Sequence, residues 1–271
     1  MVRPGHRPGP PAHSAAAFAA LAVAAWHIGP AATWLPPVRA ALGAVRPFVP
    51  GAGPVVGLDG RGHPGRVALT FDDGPDPATT PYFLLALEQL AVHATFFVLG
   101  ERLARHPGLG QRIAAEGHEL AVHGWRHGRP WTPRPGRDAR DVLRTATLVR
   151  RVSGTYPRWY RPPYGILTGG RLTAARRAGL STVLWSDWGR DWTAQATAES
   201  VFAEATQGLR GGATVLLHDT DACGAPGCWR AALGALPALV AACRNRGLTV
   251  GRLAEHGLPA EVNRDAGTLA L

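Results

Sequence analysis

Five short clusters in this chain have the residue types for catalysis. TFDDGP (Thr70–Pro75) sets two carboxylates, Asp72 and Asp73, side by side. Successive strand residues point to opposite faces, so the pair can serve different tasks, although Asp-Gly is also an ordinary turn signal. HGWRH (His123–His127) carries imidazoles at i, i+4, a spacing that lets both face one point on a helical turn. Two neutral imidazoles with one carboxylate make a catalytic-zinc set that leaves positions open for water. RPPYG (Arg161–Gly165) offers a guanidinium able to hold a carboxylate ionised and, near Tyr164, a backbone N–H for a developing oxyanion. VLWSDWGRDW (Val183–Trp192) and TVLLHD (Thr214–Asp219) add carboxylates and His218, an imidazole beside a carboxylate and so suited to general-acid work. Alone, each cluster reads as readily as a turn or a buried polar group. Asp73, His123 and His127 taken together read as a metal site.

Such clusters need a scaffold that gathers distant segments. Past Val55, short apolar runs alternate with longer helical patterns. RVALTF (Arg66–Phe71), ATFFVL (Ala94–Leu99), HELAVH (His118–His123), RWYRPP, STVLW, ATVLLH and LTVGRL predict seven strands. Helices are predicted over PATTPYFLLALEQL, ERLARH, GLGQRIAAEG, 138–152, 169–178, 197–209 and 229–246. That alternation marks parallel βα units. Seven units fit one closed or nearly closed barrel better than an open nucleotide-binding sheet, whose GxGxxG fingerprint is missing after the first strand. Nearly every His, Asp and Arg cluster falls at the carboxyl end of a predicted strand. In a βα barrel those ends share one face, where catalytic groups assemble.

The 271-residue chain has 29 Lys plus Arg, every one of them Arg, against 19 Asp plus Glu, for a formal net charge of +10. This favours anionic partners, but zinc-finger spacing, a basic zipper and RNA-binding aromatic signatures are all missing, so nucleic acid is not an expected partner. Residues 1–14 form a basic, Pro-rich head. Residues 15–36 form an apolar segment with the parts of an export signal or anchor. Read from Ala15 to Leu35, it just suffices for a bilayer core of roughly 30 Å, although His27, Gly29 and Pro30 weaken the span. A linker is expected over 37–65, a catalytic domain over 66–253 and a tail over 254–271. Export would place the globular part in the cell envelope, anchored to the membrane or secreted. Cys223, Cys228 and Cys243 are too few for a disulfide framework. CGAPGC leaves open either a small local bridge or unpaired thiols.

The clusters TFDDG, H-x3-H, RPPYG, RDW and LLHD, in this order, resemble the polysaccharide deacetylase family with the NodB homology domain (carbohydrate esterase family four), from about Arg66 to Leu253. The resemblance implies an α/β fold, a distorted (β/α)7 barrel here preceded by the hydrophobic segment, with a groove across its carboxyl face. It implies Asp72 as catalytic base, Asp73, His123 and His127 as metal ligands, and Arg161 as the group orienting the base. His218 matches the catalytic acid and Asp191 the carboxylate tuning it. Trp192 and Leu216 match apolar walls around the acetyl methyl, and Tyr164 supplies the backbone of the oxyanion site. Two positions depart from the pattern: Gly124 follows His123 where the family has Ser or Thr, and Trp188 stands where the fourth motif has Asp.

One divalent metal is expected, zinc by default, with cobalt or another first-row ion also suited to the donors. The expected reaction removes N-acetyl groups from a polysaccharide of peptidoglycan or chitin type, catalysed by a monomer. Arg129, Arg134, Arg137, Arg140 and Trp131 follow the second metal histidine and would contact an acidic glycan such as peptidoglycan. The alternatives are an O-acetyl polysaccharide esterase with the same metal site, and a membrane-tethered carbohydrate-binding protein whose catalytic centre has decayed.

Overall fold

The computed structural model describes residues 12–35, 37–38, 41, 58–129 and 134–258. Most of the expected head, linker and tail, and Trp131 of the arginine loop, lie outside the described residues.

The chain organises around β1 (Arg66–Asp72), whose residues are buried from Val67 onward. Burial on both faces explains why this strand reads as a nearly unbroken apolar run. It pairs in parallel with β2 (Thr95–Val98) and β7 (Thr214–His218). β3 (Glu119–Val122), β4 (Trp159–Tyr160) and β5 (Ser181–Thr182) extend the sheet past β2, and β6 (Asp187–Trp188) extends it past β7. The order is β5-β4-β3-β2-β1-β7-β6, and β8 (Thr249–Gly251) pairs with the beginning of β1. This curled, all-parallel sheet is the expected distorted barrel. Among the described residues it has eight strands where the sequence predicted seven. The predicted strand Ser181–Trp185 keeps its pairing only to Thr182, and the chain rejoins the sheet at Asp187–Trp188 against β7.

Helices follow the strands: α2 (Thr80–Gln89), α3 (Gly100–Arg105), α4 (Pro107–Ala115), α5 (Pro135–Ser153), α6 (Gly169–Arg177), α7 (Ala198–Thr206) and α8 (Trp229–Asn245). Their ends carry familiar signals. Pro107 opens α4, where a missing N–H costs nothing. Gly154, at φ 75, closes α5 in the left-handed conformation that glycine adopts freely.

The two faces of the sheet bury different things. Outward, Val67, Leu69 and Phe71 of β1 pack with Phe83, Leu84 and Leu87 of α2 and with Leu236 and Val240 of α8. Inward, Ala68, Phe97, Ala121, Trp159, Val183 and Leu253 plug the lower barrel. Above that plug the inner face turns polar.

Ahead of the barrel, α1 (Ala12–Ile28) runs into a 3-10 stretch, Gly29–Trp34. Phe18, Leu21, Val23, Trp26 and Ile28 are exposed, whereas His27 and Thr33 are buried. The start of α6 presses on this segment so closely that a Cβ on Gly169 would come within 2.3 Å of the Trp26 carbonyl oxygen. Among the described residues, no helix is long and apolar enough to cross a membrane.

Candidate active site

Alternation on β1 puts Thr70 and Asp72 on the inner face. The strand ends there, and Asp73 takes φ 76. This left-handed backbone costs a non-glycine residue on the order of 1–3 kcal/mol and is typical of functional sites. The turn brings the second carboxylate round, so Asp72 and Asp73 line one cavity of about 520 Å³. Simple alternation had placed them on opposite faces. Tyr164 (φ 62) and Arg190 (φ 50) border the same cavity in the same strained region.

His123 follows β3, and His127 comes four residues later. The segment between them is a bend, not the helical turn that the spacing implied. Gly124, at φ +102, lets the chain fold back there. Asp73 Oδ1 lies 3.3 Å from His123 Nε2 and 3.6 Å from His127 Nε2. One ligand atom from each of the three residues falls within 4.8 Å of the others. Asp73 Oδ1 is buried and makes no hydrogen bond among the described residues. Converging donors, with Asp73 Oδ1 left unbonded, fit a divalent cation: ligands about 2.1 Å from a tetrahedral zinc stand about 3.4 Å apart.

The protonation states agree with that fit. Burial by itself would raise the Asp73 carboxyl, but contact with His123 and the charges of His123, His218 and His127 hold it well below the usual carboxylate range. Burial pushes His127 down to about 4, so its ring is neutral near pH 7 and keeps a lone pair to donate.

Arg161 is fully buried behind the cavity. Its Nη1 donates to Asp72 Oδ1 at 2.8 Å and to Thr70 Oγ1 at 2.9 Å, and its Nη2 donates to the Leu184 carbonyl at 2.9 Å. The guanidinium also lies 4.0 Å from the centre of the Phe97 ring. These contacts fix one Asp72 oxygen and leave Oδ2 toward the groove, 3.8 Å from His123 Nδ1. The exposed Tyr164 ring stands edge-on to His127 with centroids 4.2 Å apart.

The adjoining wall comes from the end of β7, where His218 sits in register with Asp72. The His218 backbone N–H donates to Asp191 Oδ2 at 2.7 Å, and His218 Nδ1 lies 3.0 Å from Asp191 Oδ1. Burial lowers the imidazole's affinity for its proton, but the charge and hydrogen bond of Asp191, joined by Asp73 and Asp72, raise it to about 10. His218 is therefore an imidazolium at neutral pH, with Nε2 3.9 Å from Asp73 Oδ2. Trp192 stands edge-on to this ring at 5.6 Å, and Leu216 of the same strand lines the cavity. Of the ten residues singled out from the sequence, eight border one cavity, and Arg161 and Asp191 sit behind it holding two of the eight.

Residues 59–183 match the family model described as polysaccharide deacetylase. The chain is 42% identical over 154 residues to the chitooligosaccharide deacetylase of Bradyrhizobium sp. (strain ANU 289), covering 56% of this chain and 70% of that protein. The chain belongs to the polysaccharide deacetylase family. Its fold is similar to the crystal structure of the Bc1960 peptidoglycan N-acetylglucosamine deacetylase, with a TM-score of 0.67 and 29% identity over 73% of this chain and 91% of that one. It is also similar to a family 4 acetyl xylan esterase from Clostridium thermocellum in complex with cobalt, with a TM-score of 0.63 and 29% identity over 70% of this chain and 88% of that one.

Within this family frame the two sequence departures acquire physical form. A serine at position 124 would have to adopt φ +102, so the glycine exchanges a hydroxyl for an unstrained bend. Trp188 lines the cavity, while Asp187 faces away, accepting from Ser186 Oγ at 2.7 Å with Arg61 3.6 Å distant. Strand alternation pointed to that division. Trp34, Trp185, Arg190 and Cys223 also border the cavity; sequence reasoning held Trp185 and Arg190 within VLWSDWGRDW and Cys223 within CGAPGC without giving any of them a site role, and gave none to Trp34. Cys223, Cys228 and Cys243 are all free, so CGAPGC holds no bridge. Arg129, Arg134 and Arg137 line a second cavity of about 360 Å³ with Arg126 and Arg171, on the far side of the His123–His127 bend, whereas Arg140 faces a separate depression.

Proposed function

We propose that this chain is a metal-dependent hydrolase removing N-acetyl groups from a polysaccharide built of N-acetylglucosamine-type units, peptidoglycan or chitin-like. The observation that carries the reading is the meeting of Asp72, fixed by Arg161, and His218, held protonated by Asp191, side by side at the ends of β1 and β7 and next to the Asp73–His123–His127 cluster. A general base and a general acid beside an electrophile are what amide hydrolysis requires.

Asp73, His123 and His127 would hold the metal, with zinc the default for this donor set. A bound divalent cation would supply an acidified water and a Lewis acid for the amide carbonyl. Asp72 takes a proton from the attacking water as the new C–O bond forms. The backbone N–H at Tyr164, on the cavity rim, would donate to the developing oxyanion. His218 Nε2 then gives its proton to the departing nitrogen as the C–N bond breaks, leaving acetate and a free amine. Arg161 orients Asp72 through its hydrogen bond, and Asp191 keeps His218 charged.

The reading extends to place and partner. The five arginines around the second cavity favour an acidic glycan such as peptidoglycan. The exposed apolar side chains of α1 suit a membrane surface, consistent with an exported monomer in the cell envelope. Acetate release from chitin oligomers, peptidoglycan and acetylxylan, with and without chelator, is the test. Release from the N-acetylated substrates, abolished by chelator and restored by Zn²⁺, is expected. Release from acetylxylan alone would make the chain an O-acetyl esterase, as its likeness to the Clostridium thermocellum enzyme allows. No release from any substrate would support a decayed, carbohydrate-binding relative.

A further inference from the structure

We infer that the amino-terminal segment completes the substrate groove, Trp34 and Trp188 forming an aromatic subsite for a sugar ring adjoining the one that carries the reacting acetyl group. The inference rests on the deacetylase reading for the identity of the ligand and on independent geometry for its place. Trp34 lines the same cavity as Asp72, His123 and His218, although it precedes β1 and lies outside the residues that match the family model. An acetyl group would occupy a small part of about 520 Å³, a volume within the usual range for whole small ligands.

The segment is built to hold that indole in place. The Trp26 carbonyl abuts Gly169, and His27 is 1% exposed. Pro30 opens the 3-10 stretch, and the Thr33 hydroxyl donates to the Pro30 carbonyl at 2.6 Å. The Leu35 N–H closes the turn on the Ala32 carbonyl at 3.0 Å. With Thr33 buried and the backbone pinned on both sides, Trp34 itself is 46% exposed, free to present its face to the cavity.

The chemistry of the cavity wall names the ligand. Trp185 and Trp188 stack with centroids 5.9 Å apart and planes 27° apart, and Trp192 meets Trp188 at 5.4 Å. Trp185 is buried and serves as backing, while Trp188 and Trp34 keep open area. An indole offers a large, rigid, amphipathic face at little entropic cost, and its electron-rich face attracts the polarised C–H groups of a pyranose. Where the family resemblance calls for a carboxylate at position 188, this chain has a second stacking surface. The polar contact is thereby exchanged for ring contact with a neighbouring sugar.

The test is calorimetric binding of N-acetylglucosamine and its tetramer to the full-length, Zn²⁺-loaded Asp72→Asn protein, which spares the ligand. The tetramer is expected to bind more tightly than the single sugar. Trp34→Ala should weaken the tetramer roughly fivefold to thirtyfold, the loss typical of an aromatic anchor, and change single-sugar binding less than twofold. Trp34→Phe should restore most of the loss. In the Asp72-intact enzyme the defect should fall on KM rather than kcat. Equal tetramer affinity in Trp34→Ala, no tetramer binding by the parent protein, or a mature chain from producing cells that begins after Trp34 would each overturn the inference. Tetramer binding without acetate release from the Asp72-intact enzyme would instead sink deacetylation and leave the subsite standing.

Discussion

The two faces of β1 carry opposite kinds of residue for opposite purposes. Outward, Val67, Leu69 and Phe71 enter an apolar layer with α2 and α8, and Phe71 packs against Phe83 and Phe96 at 5.2 and 5.1 Å. Inward, Ala68, Thr70 and Asp72 climb from a small apolar residue through a hydroxyl to a carboxylate. Arg161 crosses the barrel to bond both Thr70 and Asp72. Both faces are buried, yet burial stabilises the outer one and is costly on the inner one, where every polar group needs a partner. The strained backbone of Asp73 and the unbonded Asp73 Oδ1 and His123 Nδ1 lie at the upper end of that inner side. One strand thus carries a store of stability and, one residue away, the group that draws on it.

Substitutions on each face should separate the two roles. The largest effect is expected from His123→Ala, which removes one of three proposed ligands. Metal analysis after dialysis should find the ion lost, with activity following it, and full occupancy would exclude His123 as a ligand. Asp72→Asn should retain the metal and lower turnover by about 10²–10⁴, the share of a general base. An unimpaired variant would remove the base assignment. Phe71→Ala should cost about 3–5 kcal/mol in denaturant unfolding, while the fraction that stays folded keeps near-normal kcat. A collapse of kcat in that fraction would mean that the two faces are not separable.

The smallest effect is a pH dependence. His218 is raised from its ordinary 6.5 to about 10. Its contribution to stability is therefore fully present below about 6.5 and is lost as pH climbs toward 10. Unfolding free energies of metal-free protein should fall across that window, and Asp191→Asn should flatten the fall. An unchanged slope in Asp191→Asn would show that Asp191 does not hold the proton. A bound cation beside Asp73 repels the imidazolium, so metal loading should move the fall to lower pH.

Several of these groups were legible as types before they were legible as places. The strand-end position of TFDDG, RPPYG and LLHD followed from short apolar runs closing on polar residues, because buried parallel strands have few other ways to stop. The His123–His127 pair was visible by spacing, yet its conformation was not, since the i, i+4 rule assumes a helix and Gly124 imposes a bend instead. Asp73 was misdirected for a similar reason: alternation holds only while the strand continues. Trp34 was invisible as a site residue because a Trp in an apolar segment reads as an anchor.

The sequence by itself determined the alternation of strands and helices, the apolar outer face of β1, and which side chains are chemically able to bind a cation or move a proton. These follow from local preferences and from side-chain type, which need no knowledge of distant neighbours. Only the tertiary structure decided that Asp73 meets His123 and His127 within 4.8 Å, that Arg161 reaches Asp72, and that Trp34 borders the groove. Those are distances between residues far apart in the chain, fixed by sheet order, by glycine and left-handed turns, and by packing of α1 on α6, none of which a short window of residues contains.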